Sequence, residues 1–129
     1  MEQEGTVISY TYKVSAEQMV RFHLLCYTHM NDIDLTKTEM NALVLLGLRG
    51  SPALKEFCSE LSARGIYLSS ESARNAIGEL CIKKGMVVKK GSHRKVVSLS
   101  PGIQVSPKEG TMLSINCIHA AKNTKGADN

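Results

Sequence analysis

Between Thr36 and Gly85 the chain carries three helix-start signals, each followed by a glycine where the apolar pattern ends. That punctuation restricts the possible folds more than any other feature. Thr36 and Glu39 have the spacing of a capping box, and Leu35 and Met40 that of a hydrophobic staple. Met40, Leu43, Val44 and Gly47 then keep the helical period until Arg49-Gly50, where glycine suits a left-handed C-cap. Ser51 before Pro52 predicts an N-cap with proline in the first turn of the next helix. Leu54, Phe57, Cys58 and Leu61 fall at i, i+3, i+4 and i+7, an amphipathic pattern that Gly65 closes. After Ile66-Tyr67-Leu68, Ser69 caps a further helix whose apolar set is Ala73, Ala76, Ile77, Leu80 and Cys81. Small Ala73 and Ala76 allow this helix to cross its predecessor closely, as a tight interhelical turn requires.

Gly85 stops the third of these helices, and a strand, a basic tip and a return strand follow from Met86 to Leu99, turning at Gly91-Ser92. Positive charge concentrates here. From Arg64 to Lys95 there are eight Lys and Arg against Glu71 and Glu79, a local charge of +6 in a chain of net +4, so the remainder carries −2. Such a concentration attracts a polyanion and speeds encounter with it.

The flanks are simpler. Thr6 to Val14 is rich in β-branched and aromatic residues and predicts a strand. Ser15 and Gln18 have the spacing of another capping box, opening a helix with Val20, Leu24 and Tyr27 on one stripe and running to about Met30. Asn31 to Asp34 breaks the chain. Beyond Pro101, Ile103-Gln104-Val105-Ser106, a Pro107-Lys108-Glu109-Gly110 turn and Met112 to Ile118 predict a C-terminal β-hairpin over 103–118, and residues 121–129 a loose tail. The expected fold class is α+β in a single domain, 1–129, with a core over 35–99 and a strand-helix extension over 6–31.

Composition excludes several classes. The chain is 43% hydrophobic and 22% charged, an ordinary globular balance, and no apolar run approaches the roughly 20 residues of a membrane span. Its acidic start, Met1-Glu2-Gln3-Glu4-Gly5, is unlike a secretory signal, so an intracellular, cytoplasmic protein is expected. Cys26, Cys58 and Cys81 fall at apolar positions of predicted helices and read as reduced core thiols. His23, Cys26 and His29 stand three apart, with Cys117 and His119 further on. Helical zinc pairs more often stand four apart and no Cys-x-x-Cys occurs, so neither metal nor cofactor is expected. Phosphate loops, nucleophile elbows and His-Glu-x-x-His are all absent, and a non-enzymatic protein is expected.

From about Leu35 to Leu99 the chain resembles winged helix-turn-helix domains of the MarR-like and phage-encoded kinds. The resemblance is carried by Leu54 to Leu61, Leu68 to Ile77, Leu80, Lys84 to Val87, and Arg94-Lys95-Val96. It implies that the helix after Ser69 reads double-stranded DNA and that the hairpin at Gly91 is the wing. MarR-type repressors dimerise through long flanking helices, whereas this chain offers one N-terminal helix and a β-hairpin at its C-terminus. In a major groove, Ser70, Ser72, Arg74 and Asn75 would face base edges, Arg suiting guanine and Asn suiting adenine. Lys83, Lys84, Lys89, Lys90, His93, Arg94 and Lys95 would meet phosphates or a minor groove. A transcription regulator or replication accessory is one expectation. A structural or assembly protein, such as a phage virion component that self-associates or joins other subunits through edge strands, is the other.

Overall fold

The computed structural model describes residues 6–103, 105 and 111–119. Over these residues the chain forms an α+β fold of four α-helices and two small antiparallel sheets. In order these are β1 (Thr6–Val14), α1 (Ala16–Met30), α2 (Lys37–Arg49), α3 (Leu54–Ala63), α4 (Ser70–Ile82), β2 (Val87–Lys90), β3 (Val96–Leu99) and β4 (Thr111–His119). A single 3₁₀ turn, Ser92–Arg94, joins β2 to β3.

Local signals set most of the boundaries. Capping boxes open α1 at Ser15–Gln18, α2 at Thr36–Glu39 and α4 at Ser69–Ser72, each satisfying backbone N–H groups that the first helical turn leaves free. Leu35 and Met40 are both half-buried against the core. The glycine after α2, Gly50, takes φ +85°, and Gly91 at the tip of the β2–β3 hairpin takes the same value, which costs glycine little for want of a Cβ.

One apolar cluster joins α1 to β3. Phe57, Leu24, Leu43, Leu46, Leu61, Ile77, Leu80 and Met86 are its largest fully buried members, and the hairpin adds Val87 and Val97. Ala73 is buried where α4 meets α3. Gly47 serves the α1–α2 contact: a Cβ there would stand 2.5 Å from Val20 Cγ1.

Three expectations are corrected. Ser51 does not cap α3; the N-cap is Ala53, without a side-chain bond, and Ser51-Pro52-Ala53 stays outside the helix. The Leu54 N–H donates to the Lys95 carbonyl (2.7 Å) and the Val97 N–H to the Pro52 carbonyl (3.1 Å), so the segment bridges β3. Proline tolerates that place because its carbonyl, not its missing N–H, makes the bond. Cys26 is exposed and Cys81 half-buried, leaving Cys58 as the buried thiol of the three. Two residues after Leu24 in a helix lies the opposite side, and Leu24 faces the core.

The third correction concerns the C-terminus. The strand expected near 112–118 forms, but as β4 it pairs antiparallel with β1 from Thr6↔His119 to Val14↔Thr111. Ile103 is not a strand residue; it is buried, and its N–H donates to the Ser100 carbonyl. A nine-residue register satisfies far more backbone than a four-residue local strand can. The expected turn at 107–110 and the tail at 121–129 lie outside the described residues.

Candidate nucleic-acid interface

Helix α4 keeps Ala73, Ile77 and Leu80 inward, and that fixes its other side. Ser70, Glu71, Arg74, Asn75 and Ile82 are exposed there, with half-buried Gly78 among them. Beside this face stands the β2–β3 hairpin. Its tip is compact: Gly91, His93 and Arg94 all take positive φ, and the Arg94 N–H donates to the Gly91 carbonyl at 3.0 Å. The tight tip leaves the His93, Arg94 and Lys95 side chains exposed.

Between helix and hairpin lies an open groove of about 650 Å³ lined by Lys55, Arg74, Lys89, His93, Arg94, Lys95 and Ile82, with Ala53 and Leu54 at its base. Among the described residues, no carboxylate lines it. Lys89 reaches over α4 at Gly78, where an added Cβ would stand 4.0 Å from its Nζ. Burial pushes the Cys58 thiol above its ordinary pKa, while the charges of Arg74 and Lys89 pull the other way, so both cations are felt beneath the groove floor. Five Lys and Arg with one His line a single concavity, and cations gathered in this way attract negative charge.

The groove gathers some of the expected residues and not others. Arg74, Lys89, His93, Arg94 and Lys95 come together, and Ser70 and Asn75 lie exposed on the same helix. Lys90 does not join them. Successive strand residues point to opposite faces, and Lys90 lies beside Arg49, Ser51 and Leu99. Ser72 is engaged in the cap: its Oγ accepts from the Ser69 N–H (3.1 Å) and donates to the Ser69 carbonyl (3.0 Å). Lys83 faces Glu79 at 3.9 Å, both side chains exposed.

Lys84 is held elsewhere altogether. Its Nζ donates to the Asp34 carbonyl (2.6 Å) and to Glu39 Oε1 (2.9 Å), tying the end of α4 to the start of α2. Burial pushes the Glu39 carboxyl up, but hydrogen bonds from the Thr36 backbone and Lys84 outweigh it and hold the group below its ordinary value. Lys55 is a groove residue that sequence patterning does not flag. It lies outside the basic window, and the bridge of Ala53 to Val96 brings the first turn of α3 against the hairpin.

Among the described residues, no three His, Cys, Asp or Glu side chains come together as a metal group, and no helix is long and apolar enough to cross a membrane. Comparison with protein-family models, with curated proteins and with solved structures gives no match to this chain.

Proposed function

We propose that α2 to β3 is a winged helix-turn-helix and that it binds double-stranded DNA, as a transcription regulator or replication accessory. The groove lined by Lys55, Arg74, Lys89, Arg94 and Lys95 without a carboxylate carries this reading. The element order also supports it: a helix, a short bridge at Ala53, two helices and a hairpin whose second strand takes the bridge. Phosphates fill the cationic groove and supply affinity, while Ser70, Arg74 and Asn75 face base edges. Glu71 on the same exposed face repels phosphate, so the backbone contacts fall to the groove and wing rather than to the start of α4.

Fluorescence anisotropy with random-sequence duplex across a salt series tests this. Replacing Lys55, Arg94 and Lys95 by Ala lowers the slope of log K against log salt by about three, close to one for each phosphate left without its cation. Replacing Lys90 and Lys83 leaves the slope nearly unchanged. Equal losses in the two sets would sink the groove assignment.

A second reading, an assembly protein of the phage virion kind that meets other subunits, is favoured by the apolar β1–β4 ribbon, which exposes Ile8, Tyr10 and Tyr12. Absence of any duplex binding at low salt would move the conclusion to it.

A further inference from the structure

The four helices hold two glycines, Gly47 in α2 and Gly78 in α4, and only the first has a reason inside the fold. At Gly47 a Cβ would stand 2.5 Å from Val20 Cγ1, so the packing of α1 on α2 excludes a side chain. Gly78 lies in the interior of α4, where glycine is the poorest helix former after proline. Among the described residues, a Cβ there would meet Lys89 Nζ alone, at 4.0 Å. That is an ordinary contact with the far end of a flexible chain. Its φ is not positive, so the backbone does not ask for glycine either. Alanine would fit and would favour the helix.

The surroundings of Gly78 are cationic. Arg74 stands one turn before it and Ile82 one turn after it on the same side of α4, and both line the basic groove. From β2, half-buried Lys89 carries its ammonium over the bare backbone at Gly78. The charges of Arg74 and Lys89 both reach the Cys58 thiol beneath, so the two cations stand over the same part of the fold. A patch of helix backbone without a side chain is thus bracketed by a guanidinium and an ammonium. Missing side chains let a ligand approach a backbone closely, and this pair of charges selects an anion. A phosphodiester offers two charged oxygens, one for each cation, while the Gly78 Cα–H groups lie against it.

On the reading of the groove as a duplex site, we infer that Gly78 is a positioning residue. It lets one backbone phosphate of the duplex seat against α4, between Arg74 and Lys89. One strand of the duplex then runs along the groove between α4 and the hairpin, with base edges toward Ser70 and Asn75. Phosphate contacts set the register and depth of a docked helix and carry no sequence information. A side chain at 78 holds that phosphate off the helix and weakens all sequences alike. It need not disturb the fold to do so.

The test is fluorescence anisotropy of the full chain with random-sequence duplex across a salt series, beside urea unfolding of the same proteins. Gly78→Ala raises the urea midpoint, because alanine is the better helix former. The same variant binds duplex about tenfold more weakly, and its slope of log K against log salt falls by about one. Lys89→Ala lowers the slope by about as much. Adding Gly78→Ala to it lowers the slope no further, since both changes empty the same seat. Equal affinity and slope in the wild type and Gly78→Ala overturn the seat and leave the groove reading standing. A further fall in the double variant also overturns it, because the two residues then serve separate contacts. So does a lower urea midpoint in Gly78→Ala, which gives the glycine a reason inside the fold. A wild type that binds no duplex at low salt overturns the groove reading, and the seat with it.

Discussion

Lys84 shows how one side chain is diverted from a surface role by its neighbours. Its ammonium satisfies a carbonyl and a carboxylate at once, and Glu39 in turn caps α2 through the Thr36 N–H. Lys84→Met removes a partner from a carboxylate that is largely covered, and is expected to cost about 1–2 kcal/mol in urea unfolding. Duplex affinity should stay as in the wild type, because Lys84 is outside the groove. The pH dependence has a definite sign. With its pKa held below the ordinary 4.5 in the folded state, Glu39 contributes stability that is present above that value. It is lost as pH falls through the folded value. Glu60 adds in the same direction, lowered by its hydrogen bond from Arg49, with burial opposing and Arg64 assisting. Urea midpoints taken from pH 7 down to pH 3 should therefore fall, and less steeply in Lys84→Met.

At the scale of elements, the α1–α2 crossing depends on one missing side chain. Gly47 lets Val20 Cγ1 approach the α2 backbone, and a methyl group there meets it at 2.5 Å. Gly47→Ala is expected to destabilise by about 1–3 kcal/mol through overpacking, against a helix-propensity gain of no more than about 1 kcal/mol. Adding Val20→Ala should return part of the loss, so a double-mutant cycle by urea denaturation shows non-additivity. Additive losses would mean that the two helices do not meet there. The junction of α3 with the β2–β3 hairpin is a second such case. Serine and proline at 51 and 52 carry every local sign of a helix start, yet the segment bonds to β3 and α3 begins at Leu54. Two backbone bonds to a distant strand outweigh a cap contribution of about 1 kcal/mol. That exchange brings Lys55 to the groove.

For the whole molecule, a single cluster centred on Phe57, Leu24, Leu43 and Ile77 joins α1 to β3, so unfolding is expected to be one cooperative transition by calorimetry and circular dichroism alike. Phe57→Ala should remove about 3–5 kcal/mol, a large part of a stability that in domains of this kind is about 5–15 kcal/mol. The helix starts at Ser15, Thr36 and Ser69, the buried stripes of α3 and α4, and the extent of β1 were all legible in the sequence. Caps and periodicities act within a few residues, so local reading reaches them. The partner of β4, the exposure of Cys26, the diversion of Lys84 and the arrival of Lys55 were not legible, because each depends on groups far apart in the chain. Thr6 and His119 stand at opposite ends of the sequence and opposite each other in the ribbon. Composition determined that this chain carries a basic segment. Only the tertiary structure decided which of its cations share one groove, since strand alternation and a competing carboxylate turn Lys90 and Lys84 away.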